Sequence, residues 1–164
     1  MKTLVLIRHS KAEDEYNNDF ERTLTSSGIK LAQKIANSIP LPSSENIKFI
    51  SSEAPRALQT AEIFSKYFNL LPENICTHTF LYNYYTFKQF VEFLETKYSN
   101  ENNIWIFGHN PMLTEIVFNL SDGKIYSFPK CAVAYFEISS ENWKFANKLN
   151  SELKLFINPS KLKD

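Results

Sequence analysis

Thr3-Leu4-Val5-Leu6-Ile7 is an unbroken run of β-branched and apolar residues that stops abruptly at Arg8-His9. A strand with one face in water alternates polar and apolar positions, whereas a run without alternation suits a strand covered on both faces, as in a parallel sheet between two layers of helices. The rest of the chain supplies the helices. Thr25-Ser26-Ser27 offers caps for a helix carrying Ile29, Leu31, Ala32, Ile35, Ala36 and Ile39 at helical spacing, closed by Pro40 and Pro42. A strand at Ile47 to Ile50 leads through Ser51-Ser52-Glu53-Ala54-Pro55 into a second helix through Leu58, Ala61, Ile63, Phe64 and Tyr67, with proline in the first turn, where its missing N–H costs little.

The alternation continues. A third strand is expected between Ile75 and Leu81, and a helix from Thr86 to Tyr98, where Phe87, Phe90, Val91, Phe93 and Leu94 repeat at three to four residues. Ile104 to Phe107 reads as a buried strand ended by Gly108-His109, and Asn110-Pro111 as the N-cap and first residue of a helix through Met112, Ile116, Val117 and Leu120. Ala132 to Ile138 and Trp143 to Leu149 read as a closing pair of strands around the turn Ser139 to Asn142, and the polar segment Asn158 to Asp164 as a frayed tail. This order predicts a three-layer α/β/α sandwich with a mostly parallel central sheet, in one domain over residues 1–164 without repeat or linker.

Composition narrows the function. At 164 residues a chain can bury roughly two thirds of its unfolded surface, so a core is available without disulfides or a structural metal, and no His or Cys is needed for stability. Lys+Arg 18 balance Asp+Glu 18, which gives no overall attraction to nucleic acid or anionic lipid. Tyr82, Tyr84, Tyr85 and Phe87 have only Lys88 beside them and read as core and rim packing, not as a base-stacking platform. The opening apolar run ends at Arg8, too early for an export signal, and no window approaches the roughly 18 apolar residues of a membrane span. Cys76 and Cys131 have no CxxC spacing, so a cytoplasmic, reduced setting is expected.

Three strand ends carry the chemistry: Arg8-His9 after the first, Ser51 through Arg56 after the second, and Gly108-His109 after the fourth. In open α/β sheets ligands bind in the crevice outside the carboxyl ends of the strands, and two of these ends feed helix N-termini, which favour anions. Arg8, Arg56, His9 and His109 would therefore form a pocket for a phosphate-like dianion. A central histidine with a second opposite suggests phosphoryl transfer to nitrogen, which requires a neutral imidazole. Repulsion from Arg8 and Arg56 should keep His9 neutral, and a backbone carbonyl accepting its other N–H would fix the tautomer. The flanking arginines oppose a cation, so no metal and no cofactor is expected. Ser51 and Ser52 read as helix caps, and His78 as a surface or satisfied core residue.

At these residues the sequence resembles a known family. Leu4 to Ala12, with Arg8-His9-Ser10, is similar to the RHG signature of the histidine phosphatase (phosphoglycerate mutase-like) superfamily. Ser51 to Ala61 resembles its second block, Phe107-Gly108-His109-Asn110 its third, and Asp19 to Gly28 looks most like the SixA-type phosphohistidine phosphatases. The resemblance implies a phosphoglycerate mutase-like fold with His9 as phosphate acceptor, Arg8 and Arg56 as clamps, His109 as the second histidine on the phosphoryl group, and Arg22 as a further pocket arginine. Ser10 departs from the usual glycine, and Thr23 stands where proline is common.

A larger departure lies in Thr79 to Thr86, where the superfamily generally places the carboxylate that protonates a leaving alkoxide and this chain has none. Imidazole leaves more easily, so the missing acid favours phosphohistidine over phosphate esters, unless Asp19, Glu21 or Glu53 reaches the site. The expected partner is a phosphorylated protein, such as a phosphotransfer domain, or a small phosphorylated substrate, with no nucleic acid and no membrane. The alternatives are a phosphatase of small phosphate esters, a mutase, for which the chain leaves little room, and a non-catalytic module that binds phosphorylated partners.

Overall fold

The fold is built outward from one strand. The computed structural model describes residues 1–14, 17–40 and 46–162, and in it β1 (Lys2–Arg8) lies inside a six-stranded sheet. On one side β1 pairs in parallel with β4 (Asn103–Gly108), which is followed by β2 (Lys48–Ser52) and then β3 (Cys76–His78), all parallel. On the other side it pairs antiparallel with β5 (Val133–Ile138), which carries the edge strand β6 (Ser151–Ile157). The order β3-β2-β4-β1-β5-β6 makes the sheet mostly parallel, closed by one antiparallel hairpin.

The missing alternation in β1 has the packing consequence it implies. Leu4 and Leu6 point into a core shared with α3 (Phe87–Tyr98) and α4 (Met112–Leu120), while Val5 and Ile7 point into one shared with α1 (Ser26–Ser38) and α2 (Pro55–Tyr67). All four residues are buried. β4 is buried at every position and divides its side chains in the same way, Ile104 and Ile106 against Trp105 and Phe107. Three layers result, and the helices α1 and α3 start on side-chain caps, Thr25 accepting from the Gly28 N–H and Thr86 from the Gln89 N–H.

Four sequence expectations are corrected. The last strand is Ser151–Ile157 and not Trp143 to Leu149. Trp143 is drawn into the core beneath α3, where its N–H donates to Glu95 Oε2 (2.8 Å) and its indole N–H to the Tyr98 carbonyl (2.9 Å), so this segment makes a 3₁₀ turn, Trp143–Phe145. Helix α4 starts at Met112, since the Asn110 side chain donates to the Phe128 carbonyl (2.9 Å) instead of capping. The cap position of α2 is Ala54, with no side-chain bond, so neither serine caps it. In the tail, Pro159–Lys161 forms a 3₁₀ turn capped by Asn158. Pro42, expected to help close α1, and Lys163 and Asp164 of the tail lie outside the described residues.

The loop after β1 is sewn to the start of α1. The Thr25 N–H donates to the Lys11 carbonyl (3.0 Å), and Gly28 lies so close that an added Cβ would come within 2.0 Å of that carbonyl oxygen. A Cβ at Gly108 would meet only the Leu113 side chain, at 3.7 Å. Gly28→Ala should therefore cost about 1–3 kcal/mol through overpacking, lowering the thermal midpoint by several degrees. Gly108→Ala, although in the strand-end motif, should leave the midpoint within about 2 °C of the parent, on the same scale. Equal midpoints for the two variants would contradict the close approach.

Candidate functional site

Parallel pairing assembles the site. Arg8 is opposite Gly108 in the β1–β4 register, and Ser51 is opposite Phe107 in the β2–β4 register, so the residues that follow these strands emerge side by side. The His9 N–H donates to the Gly108 carbonyl (3.0 Å), and the His9 and His109 rings sit 5.1 Å apart between centroids, tilted by 53°. Arg56 enters from the first turn of α2, and its side chain is 5% exposed, as are His9 and His109. Helices α2 and α4 both begin at this edge, which turns their positive ends toward the crevice.

His9 is held in one tautomer. Its Nδ1 lies 2.7 Å from the Ser10 carbonyl oxygen, which can only accept, so the proton is on Nδ1 and Nε2 keeps its lone pair. Ser10 is itself fixed, its N–H donating to Thr60 Oγ1 (3.1 Å) and its hydroxyl to the Gly28 carbonyl (2.7 Å). The serine that replaces glycine in the motif thus acts as a tie. Buried Cys131, at φ 61, closes the other side, its N–H shared between the Arg8 and His9 carbonyls (3.2 and 3.1 Å). Burial pulls the His9 pKa down to about 3, with smaller contributions from the charges of His109, Arg56 and Arg8. The sequence pointed to the arginines as the cause; desolvation is the larger one.

His109 is also pulled down to about 3, by burial first and then by Arg56 and Arg8. Its Nε2 lies 2.8 Å from Ser52 Oγ, which already accepts from the Ala54 N–H (3.2 Å), and its buried Nδ1 has no hydrogen-bond partner among the described residues. Arg8 Nε and Arg56 Nε are likewise buried and without a partner among the described residues. Arg8 makes one bond through Nη1, to the Phe128 carbonyl (3.2 Å). Buried donors are ordinarily satisfied, so unpartnered nitrogens on two guanidinium groups and one imidazole mark a place suited to an acceptor-rich anion.

Asp19, Tyr82 and Ser52 belong to this constellation, and the sequence gives none of them a role there beyond admitting Asp19 as an acid within reach. Asp19 accepts from Arg56 Nη2 (2.8 Å) and Arg22 Nη1 (3.0 Å), and its backbone carbonyl from Arg56 Nη1 (2.6 Å). The Tyr82 hydroxyl donates to the same carboxylate (3.1 Å), while its ring meets His109 edge-on at 5.5 Å and lies 6.0 Å from the Arg56 guanidinium carbon. Hydrogen bonds from Arg22, Arg56 and Tyr82 outweigh partial burial and hold the Asp19 carboxyl at about 2. Arg22 spends its other donors on the Glu13 carbonyl (2.7 Å) and Asp14 (3.4 Å), so it reaches the two histidines only through Asp19.

The other candidates fall elsewhere. Glu53 is tied to the Thr79 hydroxyl (2.7 Å), Glu21 is exposed, and His78 pairs with Tyr98 and packs edge-on against Phe93. Among the described residues no three His, Cys, Asp or Glu side chains are grouped to hold a metal ion, and no helix is long and apolar enough to cross a membrane.

Solved structures share this architecture. The chain superposes on the protein histidine phosphatase SixA complexed with tungstate with a TM-score of 0.77 at 21% identity, covering 98% of this chain and 99% of that one. An Agrobacterium tumefaciens protein described as a SixA phosphohistidine phosphatase gives 0.73 at 21% identity, covering 96% and 98%. The Entamoeba histolytica phosphoserine phosphatase in complex with 3-phosphoglyceric acid gives 0.68 at 14% identity, covering 96% and 98%. The fold is thus the phosphoglycerate mutase-like one. No family model matches the sequence, and no curated protein does.

The depressed imidazoles set a pH dependence. Each ring binds its proton less readily folded than unfolded, where 6.5 is the ordinary value, so the stabilisation is complete above that pH and is lost as pH falls toward about 3. In phosphate-free buffer, unfolding free energy should drop between pH 6.5 and 4.5 by up to about 1.4 kcal/mol per unit for each ring. His9→Asn and His109→Asn should each flatten that slope. Asp19, with its folded value near 2 against an ordinary 3.8, adds its loss only below this window. A slope unchanged in both variants would mean that the rings are solvated.

Proposed function

We propose that this chain is a metal-independent phosphatase of the histidine phosphatase superfamily, working through a phosphohistidine on His9, and that its substrate is phosphohistidine carried by a protein. The observation that carries the reading is the His9 ring, fixed by Ser10 with its Nε2 lone pair free, facing His109 and two arginines whose buried nitrogens lack partners. Nε2 attacks phosphorus, the bond from phosphorus to the leaving nitrogen breaks, and the substrate imidazole, protonated on its other nitrogen, departs neutral. Water then attacks the phosphoryl group on His9, the N–P bond breaks, inorganic phosphate leaves and His9 returns to its starting tautomer. Arg8 and Arg56 offset the charge spread over the equatorial oxygens, and His109 donates to one of them from Nδ1 if the Ser52 hydroxyl proton is turned toward Nε2.

The missing acid supports the choice of substrate. Leu81 and Tyr85 of the segment that would carry it are buried, Tyr82 contributes a phenol, and the segment contains no carboxylate. Asp19 does reach the site, which favours the rival reading of an ester phosphatase, but a carboxyl held at about 2 by two arginines and a tyrosine has no proton to give at neutral pH. Its role in our reading is to hold Arg56 and Arg22 in place, with Arg22 a rim residue of the pocket. A solved neighbour complexed with tungstate, a phosphate-shaped oxyanion, fits the same anion-binding role. A cytoplasmic setting accords with two free cysteines, Cys76 and Cys131.

The test compares a phosphohistidine-bearing phosphotransfer domain with a panel of phosphate esters, for the parent, His9→Ala and Asp19→Asn. The parent should hydrolyse phosphohistidine faster than any ester, and His9→Ala should abolish turnover while still binding phosphate. Asp19→Asn should slow both substrate classes alike; a selective loss of about 10²–10⁴-fold on esters would identify Asp19 as a general acid and favour the rival. No turnover by the parent on any substrate would leave a binding module.

A further inference from the structure

Arg8 faces more than the two histidines. It also lines a cavity of about 500 Å³, together with Lys11 from the loop after β1, Lys34 from α1 and Lys130 from the segment leading into β5. The remaining lining is largely apolar, including Leu31, Pro129 and Pro159, and among the described residues it contains no carboxylate. In a chain whose charges sum to zero, four cations from four segments converge on one hollow, and none of the three lysines makes an ion pair among the described residues. Like charges held around a concave, partly apolar wall reinforce one another's potential and attract anions from solution.

We infer that this cavity is a substrate-recognition subsite for acidic side chains flanking the phosphorylated histidine of a protein or peptide substrate, with Arg8 as the hinge between phosphoryl and carboxylate recognition. The inference rests on the function proposed above and adds to it the class of protein sequence preferred. Two features favour a polypeptide occupant over a second phosphate of a small molecule. The lysines are spread over separate segments, two of them well exposed, instead of forking onto one point. Between them lie leucine and proline surfaces on which the aliphatic stems of glutamate side chains can rest.

Two phosphohistidine peptides of equal length, one with glutamates on both flanks and one with glutamines, test the subsite against the parent and the double variant Lys34→Gln/Lys130→Gln. Neither lysine belongs to the pocket around His9, so turnover of free phosphoramidate should be the same in both proteins. The parent should prefer the glutamate peptide in kcat/KM by about tenfold at low ionic strength, a preference that shrinks toward unity as salt is raised to about 1 M. The double variant should show no preference. Equal kcat/KM for the two peptides in the parent, or a preference that survives in the variant, would overturn the subsite. Should the parent turn over neither the peptides nor phosphoramidate, the phosphatase reading falls, and whenever the peptides are not cleaved, calorimetric titration of the same peptides into the parent and the double variant decides the subsite separately. Tighter binding of the glutamate peptide by the parent alone would support it, and equal affinities would overturn it.

Discussion

The hydrogen bond from His9 Nδ1 to the Ser10 carbonyl is the interaction on which the rest of the site depends. It makes Nε2 a free lone pair, and Ser10 can hold the ring because its own N–H and hydroxyl are both tied down. Thr60, which accepts from the Ser10 N–H, donates in turn to the Arg56 carbonyl (2.7 Å), and Gly28, which accepts from the Ser10 hydroxyl, receives its own cap from Thr25. The turn after β1 is thereby coupled to the first turns of α1 and α2. A displacement of either helix would reorient the imidazole through two hydrogen bonds.

The chemistry costs stability locally. Two imidazoles kept neutral by burial, and guanidinium nitrogens left unpartnered, are groups that water would solvate better. The fold offsets this with a sheet buried on both faces and stacked aromatic clusters on either side, such as Phe49 against Trp105 at 5.4 Å and Phe80 against Phe93 at 4.6 Å. Asp19 contributes from the rim. Its carboxylate supplies the counter-charge that lets Arg56 remain buried, so one residue stabilises the unliganded site and keeps the guanidinium oriented. An incoming dianion would add charge beside that carboxylate, and the pair Arg22 and Tyr82 keeps Asp19 anchored as this happens.

Much of the fold and of the site is legible in the amino-acid sequence alone, for reasons particular to each element. β1 and β4 stand out because a strand covered on both sides carries an unbroken apolar run through its centre, Leu4 to Ile7 and Ile104 to Phe107, and Arg8, His9 and His109 because parallel strands end at a common edge. Arg56 follows from Pro55, which fixes where α2 begins. What escapes is set by contacts distant in sequence. Trp143 has the pattern of a strand start, but Glu95 and Tyr98 capture its two N–H groups, and β6 is hidden by the charged residues Glu152 and Lys154, which are tolerated because the strand is at the edge. Ser52 has the credentials of a cap but does not cap α2, and only its position beside His109 shows what its hydroxyl meets.

Tyr82 is the most instructive of the residues that the sequence does not single out. It occupies the segment in which the family resemblance would place a carboxylate, and its hydroxyl donates to Asp19 while its ring borders both His109 and Arg56. A phenol there cannot serve as an acid of ordinary strength, since burial and the neighbouring carboxylate push its pKa up. It does cover one edge of the His109 ring and fix the carboxylate that orients Arg56. In the proposed reading, a phenol in place of a carboxylate exchanges proton donation for shape and orientation, which would suit a leaving group able to carry its own proton.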